Sequence, residues 1–381
     1  MPYLRLFSPP ETLKATVIHP KQINIIINMP QKRLFEKLDL AKAFRKINLR
    51  EIVKRAVEKT GANKYRRKHG REDVLLGAIA SITVKAEKTQ EISEFAEELK
   101  DTIGIKSFPE RSTLSRLWPR IDEPLYEVFL ELSFKALKLA GRKIRFGNVV
   151  ALDVQGIISK CRISGRGFVR GKVANGLKLH LKTVNGVPSK VFFSDASVHD
   201  SYYVDEFLED IGECDHVVVD RAFFDTDFMV KLAKRDISFT TRTKRNIKFD
   251  FVDEFADGNV LVKRYKRVVD DVTIWRFKGI SLEDRQTLFD IVTTLSDYKF
   301  ALALYKLRWD IEVVFRHLSN MNFRLFGYSY AGFVCSVLLF LVVYLLILIY
   351  AKLVRRRVSV SEMRDKFARW FRWICGRLKP P

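Results

Sequence analysis

The sequence predicts an α/β protein with a mixed sheet that has helices on both faces. From residue 148, short β-branched segments follow one another between Gly and Asn-Gly turn signals, which is typical of antiparallel strands. After about residue 200, strand and helix segments alternate, which is typical of βαβ units. A long helical region precedes both patterns. The length of 381 residues and a hydrophobic content of 47% exclude wholesale disorder.

The charge of the chain indicates a polyanionic partner. It has 68 Lys and Arg residues against 45 Asp and Glu residues, and the formal net charge is +23. Such an excess favours nucleic acid, because neutralising phosphates releases counterions; a membrane surface is the competing target. The four cysteines lie far apart, without metal-ligand or disulfide spacing, so a reducing cytoplasm is the default. They are Cys161, Cys214, Cys335 and Cys375.

The N-terminal part of the chain divides into two predicted regions. Residues 1–40 contain five prolines and no charged start followed by an apolar run, so we predict an irregular arm rather than a secretory signal. Residues 41–145 have apolar residues at helical spacing, broken near Gly61, Gly104 and Pro109. The basic run KYRRKHGR at 64–71 suits either a phosphate backbone or a solvated loop.

Within that region, EISEFAEELK, DTIGIKSF and PERSTLSRLWPRI have the proportions of helix, turn and helix. Ser107 and Glu110 have the spacing of a capping box, Pro109 is tolerated in a first turn, and Pro119 indicates the end of the second helix. This pattern predicts a DNA-binding helix-turn-helix, with an ordinary helical hairpin as the alternative. The second helix would display Arg111, Ser112, Ser115 and Arg116.

The sheet is predicted from NVVALDV, GLKLHLKTV and SKVFFSDA, three antiparallel strands with turns at Asn175-Gly176 and Asn185-Gly186. These strands are followed by a helix at about 201–209, the strand HVVVD, a helix at about 225–235 and the strand ISFTTRT. Residues 243–295 then interrupt the pattern with alternating, charged sequence, which predicts a β-rich insertion. The catalytic region would therefore span 146–330, and 331–381 would form a C-terminal helical region.

Two aspartates occupy unusual places in these strands. Asp153 lies inside the apolar strand VVALDV, where a carboxylate is costly unless it is paired or metal-bound. Asp220 closes the fourth strand, at the carboxyl end where mixed α/β sheets place their ligand sites. If the first strand lies beside the fourth, the two aspartates become neighbours.

A glutamate can join them from a helix predicted over 305–323, YKLRWDIEVVFRHLSNMNF. Helical spacing places Glu312 on one side, and the apolar residues of the opposite side suit burial against a sheet. The Glu312 side also presents Tyr305, Arg308, Arg316 and Ser319, and the opposite side presents Leu307, Ile311, Val314 and Leu318. Three carboxylates at one point repel unless a hard cation neutralises them, and oxygen ligands suit Mg²⁺ or Mn²⁺. Two such ions stabilise the attacking and leaving oxygens of phosphodiester displacement.

The C-terminal part contains FVCSVLLFLVVYLLILIY at 333–350, which is at the lower length limit of a membrane span. Basic residues on both sides of this segment give no clear inside and outside, so we predict a buried core helix, with a membrane anchor as the alternative. The tail has an apolar stripe at helical spacing, Met363, Phe367, Phe371 and Ile374, and packing of this stripe on the body is the simpler interpretation.

These residues resemble those of DDE transposases of insertion-sequence family four, over about residues 90–350. The family has the signature Y-x2-R-x3-E-x6-K, and Tyr305, Arg308 and Glu312 match its first three positions. Position 319 is Ser where the signature has Lys. The segments ALDVQGI and VVVDRAFFDTDF are similar to the family's two aspartate segments.

The resemblance implies an RNase H-like catalytic core preceded by a helical DNA-binding region. It implies a cut-and-paste transposase that uses two Mg²⁺ (or Mn²⁺) ions on Asp153, Asp220 and Glu312. Strand hydrolysis would free a 3′-hydroxyl at the transposon end, which would form a hairpin and afterwards join target DNA. Double-stranded DNA would be the partner of a homodimer in the cytoplasm, associated with chromosomal DNA, with no stable membrane partner.

The resemblance also implies contacts to DNA. Tyr305 and Arg308 would contact phosphates near the cleaved end, and Trp275 would correspond to an insertion tryptophan that stacks near a flipped base. Arg316 offers a cation that could substitute for the lysine missing at Ser319. Because of that departure, a catalytically inactive DNA-binding protein is the alternative function.

Overall fold

The structure, a computed structural model, describes residues 40–62, 69–141, 147–158, 165–169, 172–223, 225–244, 247–320, 329–354 and 359–376. The predicted arm at 1–40, except Leu40, and most of the basic run at 64–71 lie outside these residues. Within the described part of 41–140 the chain is helical, as predicted, and a 3-10 turn follows the fifth helix. The helices are α1 (Leu40–Ile47), α2 (Leu49–Lys59), α3 (Arg71–Thr83), α4 (Thr89–Ile103), α5 (Arg111–Leu117) and α6 (Asp122–Ala140).

The predicted helix-turn-helix corresponds to α4, a turn and α5. Gly104 ends α4 in the left-handed conformation, with φ of 69°, as glycine does at helix C-termini. The predicted capping box is wrong, because the chain is still extended at Glu110, which is itself the N-cap of α5. Pro109 therefore precedes the helix rather than joining its first turn. The Ser107 hydroxyl instead pairs with His69 Nδ1 at 3.0 Å.

Within the described residues, ten strands form one sheet, mostly antiparallel, in the order β2-β3-β1-β5-β6-β10-β9-β8-β7, and β4 pairs with β3. β5 is parallel to both β1 and β6. Helices α7 (Val204–Leu208) and α8 (Thr226–Ala233) lie between β4 and β6 in the chain. The strands are β1 (Val149–Ile158), β2 (Gly165–Val169), β3 (Lys172–Val184), β4 (Val187–Asp195), β5 (His216–Val219), β6 (Ser238–Arg242), β7 (Asp250–Asp257), β8 (Val260–Val269), β9 (Val272–Ser281) and β10 (Thr287–Thr293).

The two Asn-Gly pairs behave differently. Asn185-Gly186 forms the predicted turn between β3 and β4, with φ of 52° and 82°, the positive values that a type I′ hairpin requires. The turn predicted at Asn175-Gly176 is wrong, because both residues lie inside β3. Gly176 pairs there with Gly165 of β2, a strand that the sequence did not predict.

The β-rich character predicted for 243–295 is confirmed, and its strands extend the main sheet instead of interrupting it. β10 pairs with β6 in antiparallel fashion, and β9, β8 and β7 follow outward. β7 has the acidic sequence DFVDEFAD, and its register shifts between Phe251 and Asp253. β7 is the last strand in the order, and its outer edge pairs with no strand in the part of the chain that is described.

Helices cover both faces of the sheet, as predicted. On one face, Val149 and Ala151 of β1 join an apolar cluster with α6 and with two later helices, α10 (Trp309–Asn320) and α11 (Tyr330–Leu353). On the other face, Val150 and Leu152 join a second cluster with α7 and α8. The alternation follows from the two-residue period of a strand.

Helix α11 contains the long apolar segment and is the core helix that the sequence predicted. Among the described residues it is long and apolar enough to cross a membrane, yet 89% of its most apolar 18-residue stretch is buried inside the protein. It packs against α1, α3, α6, α10 and β4. The tail forms α12 (Val360–Ile374), whose Met363, Phe367 and Phe371 are buried, whereas Ile374 is 40% exposed.

The continuous helix predicted over 305–323 is wrong. Helix α9 (Tyr298–Lys306) ends before α10 begins, and residues 321–323 lie outside the described part. At the junction, Arg308 and Ile311 donate their backbone N–H groups to carbonyls three residues earlier, so the helix tightens into a turn. The predicted apolar side of α10 is confirmed for Ile311, Val314 and Leu318, which are buried, while Leu307 is half-buried.

Because α11 lies at the centre of the core, truncating it should be costly. We expect Leu341→Ala, at a fully buried position, to lower the free energy of unfolding by about 2–5 kcal/mol through lost burial and a residual cavity. Leu288→Ala, at a site 56% exposed on β10, should change it by less than about 0.5 kcal/mol. Urea unfolding followed by circular dichroism measures both, and equal effects would contradict the central position of α11.

Candidate active site

The two predicted aspartates lie where the parallel pairing of β1 with β5 ends. The pairing runs to Leu152 and Val219; Asp153 is the next residue within β1, which continues to Ile158, and Asp220 directly follows β5. The sequence predicted that the first and fourth predicted strands, which are β1 and β5 in the structure, could be neighbours in the sheet, and this is confirmed. Asp153 projects to the face covered by α10, since Leu152 and Val154 pack with the cluster on the other face.

Glu312, on α10, is linked to Asp153 through the side chain of Arg308. The Arg308 guanidinium donates from Nη2 to Glu312 Oε1 and places Nη1 3.5 Å from Asp153 Oδ2. Arg308 therefore bridges two of the three predicted carboxylates. Its side chain is 13% exposed, against 20% for Asp153 and 28% for Glu312, so the bridge is largely shielded from water.

Burial makes Asp153 an unusual acid. Loss of solvation raises the pKa of its carboxyl from 3.8 to about 6. The backbone N–H of Val154, which donates to Asp153 Oδ1 at 2.8 Å, and the charge of Arg308 lower the pKa, while Asp220 and Glu312 raise it further. The fold thus holds a carboxylate where its negative charge is disfavoured, which is common in functional sites.

Tyr305 and Trp275 lie on the same side of the sheet as α10. Both pack against a small apolar cluster formed by Val262, Phe277, Ile291 and Ala301. Burial raises the pKa of the Tyr305 hydroxyl, and the Arg308 guanidinium lies 5.6 Å from its ring centroid. Two cations of β8 lie near the indole ring of Trp275, Arg264 at 5.5 Å and Lys266 at 6.0 Å from its centroid.

The remaining predicted residues of the signature lie further along α10. Arg316 is exposed, and its guanidinium lies 5.0 Å from the ring centroid of Trp309, which is 51% exposed. Ser319, where the signature has lysine, accepts a hydrogen bond from Gln155 Nε2 at 3.4 Å. Gln155 is two residues beyond Asp153 and therefore lies on the same face of β1.

The predicted DNA-contacting residues of α5 are far along the chain from this site. Arg111, Ser112, Ser115 and Arg116 are all exposed, and Leu114 and Leu117 on the opposite side are buried. The display predicted from the sequence is therefore present, although the helix has only seven residues.

Three further residues near the site, Gln155, Trp309 and Arg242, have no role in the pattern that predicts the three acids. Arg242 ends β6, and its charge lowers the pKa of Tyr305, opposing the effect of burial. The two-residue period from Asp153 could have identified Gln155, and the position of Arg242 at the carboxyl end of a strand could have identified that arginine. The stacking of Arg316 on Trp309 has no comparable signal.

The donor chemistry of this site fits a hard cation, because the three acids offer only carboxylate oxygens. The three acids are nevertheless not arranged to bind a metal ion in this structure. Across the described ranges, no group of three His, Cys, Asp or Glu side chains is placed to hold a metal ion. The cation that the structure places between Asp153 and Glu312 is Arg308.

The fold and the site define a basic α/β protein in which one carboxylate lies on β1 and a second directly follows the adjacent parallel strand β5, and comparison with known families identifies its class. Residues 147–346 match the model of the transposase DDE domain. The match covers more than half of the chain and includes Asp153, Asp220 and Glu312. The chain therefore belongs to the transposase DDE domain family and is of the insertion-sequence family four type.

A curated relative supports the same type. A Synechocystis protein named as a transposase for insertion sequence element IS4SA is 29% identical over 170 residues. The aligned region covers 42% of this chain and 46% of the relative. The chain thus spans about half the length of the curated relative that it matches.

The raised pKa of Asp153 predicts a pH-dependent effect on stability. Because the fold favours the protonated carboxyl, its stabilising contribution is complete below about pH 4 and is lost as the pH rises through about 6. Asp153→Asn mimics the protonated form, so we expect the variant to match the parent near pH 4. At pH 7.5 it should be more stable by on the order of 1–3 kcal/mol. Denaturant unfolding at both pH values measures this.

Asp195→Asn is the matched control, because hydrogen bonds from the Ser197 hydroxyl and backbone N–H lower the pKa of Asp195. That variant should be less stable than the parent at pH 7.5, and the difference should shrink as the pH falls below the ordinary range of a carboxyl. An Asp153→Asn difference that is the same at both pH values would contradict the assigned burial of this carboxylate.

Proposed function

We propose that this protein is an active transposase that cleaves double-stranded DNA at transposon ends and transfers the freed strand into target DNA. The observation that best supports this proposal is that Asp153 and Asp220 are the next residues after the parallel pairing of β1 with β5, with Glu312 linked to Asp153 through Arg308. The family match supports transposition in general. The reaction and its substrates are the proposal.

The sheet supports an RNase H-like core. The order β4-β3-β1-β5-β6 has three antiparallel strands followed by two that run parallel to β1. Helices on both faces fit the same architecture. We retain the division into an N-terminal arm at 1–40, a helical DNA-binding domain at 41–145, a catalytic domain at 146–330 with the 243–295 insertion, and a helical region at 331–381.

We assign Asp153, Asp220 and Glu312 as ligands of two Mg²⁺ or Mn²⁺ ions. The carboxylate donor set fits these ions, and DDE transposases as a family use divalent metal ions. When bound, the ions supply positive charge to the oxygens that attack and leave in a phosphodiester displacement. The burial of Asp153 would keep this charge in a poorly solvated place, where electrostatic interactions are stronger.

Other residues of the chain would bind and orient the DNA. Arg308 would pair with a phosphate near the cleaved bond, with Tyr305 packed beside it. Trp275, flanked by Arg264 and Lys266, would stack on an unpaired base. Arg316 would offer a phosphate contact in place of the lysine missing at position 319.

The exposed side of α5 would place Arg111, Ser112, Ser115 and Arg116 against duplex DNA, as the second helix of a helix-turn-helix does. Synapsis of two transposon ends would require at least a homodimer in the DNA complex. Such a protein would act in the cytoplasm on chromosomal DNA, with no stable membrane partner, and the burial of α11 supports that location.

A DNA-binding protein without catalysis is the second candidate. Ser319 stands in place of the signature lysine, and its hydroxyl contacts Gln155 beside Asp153. A phosphate contact expected of the family would then be missing from the site.

Cleavage separates the two candidates. We expect the protein with Mg²⁺ to nick a plasmid that contains its own gene with flanking DNA, and chelation by EDTA to stop nicking. Asp153→Asn, Asp220→Asn and Glu312→Gln should each reduce the nicking rate by on the order of a thousandfold, because each removes a ligand for transition-state charge.

The same three variants should retain DNA binding in gel-shift measurements. Glu254→Gln, an exposed acid of β7, is the matched control and should cut at the parent rate. A parent protein that binds this DNA but does not cut it with Mg²⁺ or Mn²⁺ would favour the second candidate.

The α5 surface is tested by the salt dependence of DNA binding. Arg111→Ala and Arg116→Ala should each weaken binding and reduce the slope of log affinity against log salt by about one, because each removes a phosphate contact. Lys231→Ala, which removes an exposed cation of α8, should leave the slope unchanged. Fluorescence anisotropy at several salt concentrations measures the slope, and equal slopes in all four proteins would reject α5 as the DNA surface.

A further inference from the structure

The acidic site already contains a cation of the protein's own. Arg308 Nη1 lies 3.5 Å from Asp153 Oδ2, and Nη2 donates to Glu312 Oε1. Asp153 comes from β1, Arg308 from the junction of α9 with α10, and Glu312 from α10, so the bridge joins the sheet to the helix. A divalent ion shared by the same two carboxylates would need the oxygens that Arg308 now neutralises.

The local backbone explains how Arg308 comes to lie there. It stands in the tight turn between Lys306 and Trp309, and it is four residues before Glu312, a spacing that brings an arginine and a glutamate together on a helix. The backbone N–H groups of the turn bond to carbonyls three residues back, and from this turn the Arg308 guanidinium contacts both Glu312 on α10 and Asp153 on β1.

A second observation indicates that Arg308 is not fully satisfied in this position. Its Nε is buried and has no hydrogen-bond partner among the described residues. A buried donor without an acceptor is unfavourable. A phosphate oxygen is a strong acceptor for a guanidinium, so binding of a DNA phosphate would compensate for the loss of the carboxylate contacts.

We propose that Arg308 is an internal competitor of the divalent ions: without DNA it neutralises Asp153 and Glu312, and the ions bind with full affinity only after Arg308 has moved to a phosphate. This inference rests on the proposed metal site. It makes metal loading depend on DNA, because any ligand that draws Arg308 away must raise the affinity for metal. A protein that binds its metal ions only after DNA has drawn Arg308 away would not hold an active metal site when no DNA is bound.

Titration with Mn²⁺ alone, without DNA, tests this proposal. The parent, Arg308→Gln and Arg308→Lys are compared by calorimetry, or by the electron paramagnetic resonance signal of free Mn²⁺, at constant ionic strength. We expect Arg308→Gln to bind Mn²⁺ on the order of tenfold to a hundredfold more tightly than the parent, because its neutral amide cannot compensate the carboxylates. Arg308→Lys keeps a charge without the planar fork and should fall between the two.

Lys231→Gln is the matched control, since it removes one exposed cation from α8, outside the acidic site and outside the proposed DNA contacts. It should change the affinity for Mn²⁺ by less than about threefold, which measures the general effect of charge. Thermal unfolding of each variant verifies that the fold is intact. Equal or weaker Mn²⁺ binding by a folded Arg308→Gln would overturn the proposal.

Asp153→Asn distinguishes failure of this inference from failure of the proposed function. If the parent and Arg308→Gln bind Mn²⁺ equally and Asp153→Asn abolishes binding, the metal site stands and the competition is rejected. If none of these proteins binds Mn²⁺, the metal site itself is rejected, and the inference with it. Tighter binding by Arg308→Gln that is lost in the Asp153→Asn/Arg308→Gln double variant supports both.

Discussion

The burial of α11 is the constraint on which the rest of the structure depends. A helix that is apolar on all sides must be surrounded by protein. Helices α1, α3, α6 and α10 and strand β4 surround it, so one apolar cluster extends from the N-terminal helices to the sheet. The position of α10 over β1 follows from this packing, because Ile311, Val314 and Leu318 are buried in the same cluster. The acidic site thus lies between β1 and a helix that this apolar core holds in place.

The acidic site shows how such a core can hold charges that it does not favour. A backbone N–H and Arg308 stabilise the charged form of Asp153, but these interactions only partly offset the free energy lost with its solvation. Removing one partner of such a pair leaves an uncompensated charge, whereas exchanging the partner for another cation does not. An arginine on a turn between two helices can be exchanged, since its long side chain can reach another anion. Arg308 therefore neutralises the acids in the protein without ligands, and the same acids can bind another cation when Arg308 moves to a different anion.

Much of the fold could be predicted from local patterns. The strands around Asp153 and Asp220, the turn at Asn185-Gly186 and the apolar side of α10 follow from periodicity and turn chemistry, which neighbouring residues determine. The predictions that were wrong concern features that depend on residues far away in the sequence. The Ser107 hydroxyl bonds to His69 rather than capping α5, and Asn175-Gly176 is held in β3 by its pairing with β2. The places of Asp153, Asp220 and Glu312 in the strands and helix predict that these acids come together, but they do not predict the guanidinium between Asp153 and Glu312, because no pattern within 305–323 gives the distance to β1.

The outermost strand, β7, has a consequence for how copies of this protein behave when crowded. Its sequence DFVDEFAD places four acids along eight residues, and its register shift bends the edge. Two copies that met through this edge would bring eight carboxylates into two adjacent rows, and the repulsion would oppose growth of a continuous intermolecular sheet. Three of these acids pair with cations of β8 or α9, Asp253 with Arg264, Glu254 with Lys263 and Asp257 with Lys299, so an approaching strand would meet charged side chains along this edge.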